Sequence, residues 1–345
     1  MTVSLLDRLA HGPVLCAEGY LFELERRGYL QAGAYVPEVV LEHPEVVAAL
    51  HREFVRAGSD VVEAFTYYAH REKLRLIGRE DDLELMNRQA LSIAAGVAGE
   101  TGTLLAGNIC NTNIYTGERS HDDQYVRPMF EEQVSWAVQA GADFVIGETF
   151  QFAGEALTAL EVIREAALPA VITLAVHQES VTREGWTLHE ACRRLADAGA
   201  AVVGLNCIRG PATMLPLLKA IIEAVDVPVA ALPVPYRTTE GEPTFQSLSD
   251  PRAVDLPDGR AFPVALDAFT CTRYDVAAFT RAALDLGVRY LGLCCGAGPH
   301  HVRAMAEAMG RRPAASRFSA DMSKHAYLGS DPSLLSDNLA FAERL

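Results

Sequence analysis

The sequence predicts an α/β fold: a single-domain (β/α)8 barrel with a polar C-terminal tail. Three observations carry this expectation. Stretches of helical periodicity alternate with short runs about eight times, the runs are apolar on both faces, and four helical stretches end in glycine and pass straight into a strand. Those junctions are Ala57-Gly58, Ala140-Gly141, Ala198-Gly199 and Leu286-Gly287, where glycine serves as a helix C-cap. In chain order the expected strands are 14–19, 59–65, 103–109, 142–150, 169–176, 200–207, 228–234 and 288–296. Helical patterns fill 37–57, 81–99, 122–140, 154–167, 187–198, 212–225, 275–286 and 300–309. An open doubly wound sheet is the rival arrangement. No Gly-x-Gly-x-x-Gly opens a helix, so its dinucleotide-binding form lacks a fingerprint here.

With 345 residues, 50% hydrophobic and 22% charged, the chain can bury a large core, and one barrel accounts for 1–310 with 311–345 as the tail. A net charge of −15 without a Lys/Arg cluster argues against a nucleic-acid partner. No run of about 18 uncharged apolar residues occurs, and the first thirteen residues lack a basic segment followed by an apolar one. A soluble, cytoplasmic protein with no membrane partner is expected. Seven cysteines, at 16, 110, 192, 207, 271, 294 and 295, form no disulfide framework in a chain of this size and fit a reducing compartment with some retained as ligands.

Three of those cysteines close two strand candidates, in Asn206-Cys207 and in Cys294-Cys295-Gly296. Thiolates are soft ligands, and a zinc with three protein ligands keeps one tetrahedral position open for chemistry. The alternative is three inert, buried thiols. Active sites of such barrels lie at the C-terminal strand ends. Collected there are Glu18-Gly19, Phe65 to Tyr68, Asn108, Glu148-Thr149, His177, Asn206-Cys207 and Cys294-Cys295. His177 reads as a hydrogen-bonded structural residue, Asn108 and Asn206 as loop anchors, and His300 and His301 as solvent-facing residues opening the last helix. No His-x-His stands at a strand end to suggest a histidine-based metal site.

The Asn206-Cys207 motif, GLCCG at 292–296, and the stretch LERRGYLQAG, VPE, EHPE, LHREF, YYA and KL between 24 and 74 resemble the zinc-dependent homocysteine S-methyltransferases, and within that family the betaine branch. The likeness runs over about 4–310. It implies that Cys207, Cys294 and Cys295 bind Zn2+, that the sulfur of homocysteine takes the open position, and that Glu148 receives its amino group; Glu18 and Gly19 are the expected homocysteine-binding residues of the first strand. It also places Tyr35 and Tyr68 at donor-contacting positions.

Transfer of a methyl group to sulfur needs a thiolate near neutral pH, which metal coordination supplies, and a donor whose methyl sits on a cationic nitrogen or sulfur. Aromatic faces hold such cations, so Tyr35, Phe65, Tyr67 and Tyr68 form the expected donor cage. The chain departs from the family pattern at Ala17-Glu18-Gly19, where Asp-Gly is usual, at Thr149 after Glu148, where the betaine enzymes have tyrosine, and at Leu232. Glu18 replaces the missing carboxylate if its side chain aims inward. The tail, where Asp321-Met322 echoes a donor-binding segment, is expected to be a donor-site lid or an oligomer contact in a homo-oligomer. The expected activity is methyl transfer from betaine or a related methylammonium to homocysteine, forming methionine. S-methylmethionine is the alternative donor, and a non-catalytic zinc-barrel sensor of a betaine or amino acid is the alternative of another class.

Overall fold

A computed structural model, describing residues 3–344 apart from 253–255, 257 and 258, shows eight parallel strands closed into a barrel in sequential order. The strands are β1 (Val14–Ala17), β2 (Val61–Glu63), β3 (Leu104–Cys110), β4 (Phe144–Phe150), β5 (Ala170–Leu174), β6 (Val202–Asn206), β7 (Val229–Leu232) and β8 (Tyr290–Leu293). Each lies within or overlaps its expected run, and β1 closes the ring on β8 in the register Val14↔Tyr290 to Ala17↔Leu293. The four helix-ending glycines, Gly58, Gly141, Gly199 and Gly287, all have positive φ, as C-caps leading into a strand require.

Side chains alternate across each strand, and this parity positions the site. Val14, Cys16, Val61, Leu104, Ala106, Phe144, Ile146, Val202 and Tyr290 pack together inside the barrel, while Leu15, Val62, Leu105, Val145, Val203 and Leu291 pack outward under the helices. One further inward step along the strands reaches Glu18, Glu63, Asn108, Glu148, Asn206 and Cys294, all buried. The polar layer is therefore the top layer of the barrel interior.

The expected helix 37–57 is broken into Val39–Glu42 and Pro44–Ala57, because Pro44 lacks an N–H and drives His43 out of the helical region, to φ −141°. Among the described residues, four short α-helices lie outside the expected helical patterns: Leu5–His11, Tyr20–Arg26, Arg71–Leu76 and Ser336–Ala342. The first carries a Ser4/Asp7 capping box, and its buried Leu5 and Leu9 join the barrel-interior cluster. The tail leaves from the opposite end to the cysteines, where Arg311 pairs with Asp60 at 2.6 Å and with the Pro13 carbonyl. Residues 314–318 then pack on the helices Pro44–Ala57 and Pro299–Ala308. Among the described residues, no helix is long and apolar enough to cross a membrane.

Candidate metal centre and acid-lined pocket

Cys207 follows β6 in a left-handed conformation (φ 55°), as does Ile208 (φ 58°), an arrangement that costs roughly 1–3 kcal/mol per residue and persists only where neighbours enforce it. Here the Cys207 N–H donates to the Leu232 carbonyl at 2.9 Å, and the Cys294 N–H donates to the Pro233 carbonyl at 3.0 Å. The end of β7 thus draws together cysteines from the two strands flanking it. The turn after β8 is clamped by Arg26, which donates to the Gly296 carbonyl at 3.1 Å and to the Tyr236 hydroxyl at 2.8 Å. Gly296 sits at φ 94°, where a Cβ would collide with the Tyr236 ring.

These constraints place Cys207 Sγ 3.7 Å and Cys294 Sγ 3.8 Å from Cys295 Sγ, with all three sulfurs within 4.8 Å of one another. A tetrahedral ion bound at about 2.3 Å by thiolates separates them by roughly 3.8 Å, which the two spacings to Cys295 match. The neighbouring Cys294 and Cys295 hold Cys207 well below the usual thiol range, and Cys207 in turn pushes both of them up. All seven cysteines are free thiols.

Beside the sulfurs lies a cavity of about 20 Å³ whose walls include Glu18, Glu63, Asn108, Glu148, Cys294 and Cys295. Glu148 is held at both oxygens: Asn108 donates to Oε1 at 2.7 Å, and Asn206 donates to Oε2 at 2.6 Å. Burial pushes its carboxyl up to about 7, against the lowering effect of those amides. Glu18, 6% exposed, does aim inward, and its carboxylate, that of Glu148 and the Cys294 thiol offer ligand atoms within 4.8 Å of one another. Burial, reinforced by Glu63 and Glu148, raises Glu18 well above the usual carboxyl range. Gly19 contacts the turn after β8 so closely that a Cβ there would strike the Ala297 carbonyl.

The aromatic candidates divide. Phe65 and Tyr67 line the cavity. Tyr35 does not line it; its buried hydroxyl has no partner among the described residues and is raised first by burial and then by the nearby Cys295 thiol. Tyr68 does not line the cavity, its ring lying 4.2 Å from Tyr67 with the Lys73 ammonium 3.9 Å from its centroid. A cation of the chain itself occupies the ring expected to hold the donor.

Other expectations change. Asn108 and Asn206 are not loop anchors but the amides that orient Glu148, because strand parity turns both inward. His301 is 1% exposed, not solvent-facing: its Nδ1 accepts from the Gly298 N–H at 3.2 Å and its Nε2 lies 3.0 Å from the Cys271 carbonyl. His177 Nε2 is buried without a hydrogen-bond partner, and it is the backbone carbonyl of His177 that accepts from Arg209. The helix Ala153–Glu165 is capped by Glu184, which accepts from the Ala153 and Gly154 N–H groups at 3.0 and 2.7 Å. Strand-end reasoning missed Glu63, 2% exposed and bonded to Asn108 at 2.6 Å. Counting by twos from Val61 in the apolar run VVEAF would have found it.

A closed parallel barrel with three converging thiols beside buried carboxylates at its C-terminal mouth belongs to the class of barrels whose thiols can hold a metal ion. The chain belongs to the homocysteine S-methyltransferase family, whose model matches residues 19–309. It is 38% identical over 315 residues to betaine–homocysteine S-methyltransferase 1 of Xenopus laevis, covering 88% of this chain and 75% of that one. It is 36% identical over 311 residues to the S-methylmethionine–homocysteine S-methyltransferase of Pongo abelii, covering 88% and 80%. The fold is shared with the metallated form of the homocysteine methyltransferase MmuM from Escherichia coli, at a TM-score of 0.66 and 19% identity over 87% of this chain and 97% of that one.

Proposed function

We propose that the chain transfers a methyl group from a small onium donor to the thiol of homocysteine, forming methionine, with Zn2+ held by Cys207, Cys294 and Cys295. The observation that carries this reading is the juxtaposition of three sulfurs at tetrahedral-edge spacing with two inward-facing carboxylates, Glu18 and Glu148. Zinc in such a site lowers the pKa of a thiol toward neutrality. The chain's residues do the rest. Glu148, fixed by Asn108 and Asn206, receives the acceptor's ammonium and so points its thiol at the cysteine cluster. Tyr35, Phe65 and Tyr67 present aromatic faces to the donor cation, each contributing about 0.5–2 kcal/mol. In the transfer, the acceptor sulfur forms the new S–C bond as the bond from methyl to the onium atom breaks. The electron pair stays on the departing amine or thioether.

Both relatives named above are homocysteine methyltransferases, one using betaine and one S-methylmethionine, which supports betaine or a related methylammonium as donor with a sulfonium second. The free thiols suit the reducing cytoplasm. Of the two roles expected for the tail, an oligomer contact is favoured by its exposed Phe318, Met322, Leu328, Leu335 and Phe341. Metal analysis combined with a methyl-transfer assay over betaine, dimethylglycine and S-methylmethionine tests the reading. About one zinc per chain is expected, and Cys207→Ala, Cys294→Ala and Cys295→Ala should each lose both metal and activity. Full activity in a metal-free preparation would overturn it.

A further inference from the structure

Buried acceptors without donors mark the acid-lined cavity, and the imbalance identifies the chemistry of what completes it. Both oxygens of Glu18, Oε2 of Glu63 and Oδ1 of Asn108 are buried with no hydrogen-bond partner among the described residues. Among those residues, no Lys, Arg or His side chain lines the cavity. Held in their charged form, carboxylates left this way are strongly unfavourable unless a cation with hydrogen-bond donors completes the set. A quaternary ammonium or a sulfonium carries the charge but no N–H, so the methyl donor's onium centre cannot satisfy these oxygens. A primary ammonium carries the charge and three N–H donors. The cavity, about 20 Å³, has room for one group the size of a water molecule, which is also the size of an –NH3+ head.

We infer that Glu63 is a third carboxylate of the acceptor site, and that a primary ammonium seats among Glu18, Glu63 and Glu148 with one N–H directed to each. The assignment rests on reading the chain as a thiol methyltransferase and specifies what that site selects. Asn108 makes the seat one unit, its Nδ2 donating to Glu63 Oε1 at 2.6 Å and to Glu148 Oε1 at 2.7 Å, so the two carboxylates share a single amide. Glu18 links the seat to the sulfurs, offering ligand atoms within 4.8 Å of those of Glu63 on one side and of Glu148 and Cys294 on the other. The accepted substrate is therefore a thiol with a primary amine a short hydrocarbon spacer away. Glu18 and Glu63 together supply the negative charge that Ala17 does not.

The test uses zinc-loaded full-length protein, wild type and Glu63→Gln, with homocysteine, N-methylhomocysteine and 4-mercaptobutyrate. Binding is read by calorimetry beside zinc content and kcat/KM. Wild type is expected to favour homocysteine over both analogues by about tenfold or more. Glu63→Gln is expected to weaken homocysteine binding about ten- to one-hundredfold, the loss of one charge-assisted hydrogen bond, with 4-mercaptobutyrate binding not weakened and zinc content unchanged. Glu63→Asp, which keeps the charge, should recover part of the loss. Unchanged homocysteine affinity in Glu63→Gln, or equal weakening of both thiols, overturns the assignment. Wild type that neither binds nor methylates homocysteine overturns the functional reading and this inference together; wild type that does both while Glu63→Gln behaves identically overturns this inference alone.

Discussion

Gly296→Ala is the sharpest probe of how the fold holds the cysteine cluster. At φ 94° the added methyl forces an L-residue into left-handed backbone, at a cost of roughly 1–2 kcal/mol. That methyl would also lie 2.6 Å from Cζ and 2.9 Å from Cε2 of Tyr236 and closer still to its hydroxyl. Tyr236 cannot yield: it is 0% exposed, its ring stacks on Phe245 at 6.0 Å, and Arg26 holds its hydroxyl at 2.8 Å. Overpacking of this kind adds about 1–3 kcal/mol, for an expected destabilisation of about 2–5 kcal/mol. Because the displaced turn carries Cys294 and Cys295, the metal-to-protein ratio should fall as well. Urea unfolding and elemental analysis measure the two effects. Combining Gly296→Ala with Tyr236→Ala separates the causes, since the double mutant should recover the overpacking part and retain the backbone part. A Gly296→Ala protein within about 0.5 kcal/mol of wild type and carrying its full metal would show that Tyr236 and the turn do not constrain the cysteines in this way.

Two further outcomes are expected. Tyr67→Leu should raise the donor KM by an amount equivalent to about 1–2 kcal/mol, whereas Tyr68→Leu, whose ring already holds Lys73, should change it less; steady-state kinetics showing the reverse order would return Tyr68 to the donor site. Burial pushes Glu155 up to about 7 despite two bonds from Thr112. The folded chain therefore holds this proton more tightly than the unfolded one, and the stability so gained is full below about pH 4.3 and lost as pH rises to about 7. The stability of Glu155→Gln relative to wild type should accordingly grow by about 2.5 kcal/mol between pH 5 and pH 8, and a constant difference in urea denaturation would count against it.

Much of the architecture was legible in the chain. Alternating apolar runs and glycine-capped helices determined the eight strands, because both signals are local: residues apolar on both faces need cover on both faces, and a left-handed cap needs glycine. The three cysteines stood out for the same reason, each closing a strand where barrel sites are built. Even the inward aim of Glu18 was available by parity, since Val14 and Cys16 precede it on the interior face.

What the sequence left open depends on residues distant in the chain. His300 and His301 look equivalent as neighbours at a helix start, yet only His301 is buried, because the Cys271 carbonyl from another loop meets its ring. Tyr67 and Tyr68 look equivalent too, yet only Tyr67 lines the cavity, while the Tyr68 ring meets the Lys73 ammonium. The spacing of the sulfurs is set by carbonyls at the end of β7, a strand that contributes no ligand, and by an arginine from the helix after β1. Composition and period determined which residues lie at the mouth and which face of each strand they occupy. Only closure of the ring, which brings side chains more than 80 positions apart to within 4 Å, decided which of them share one site.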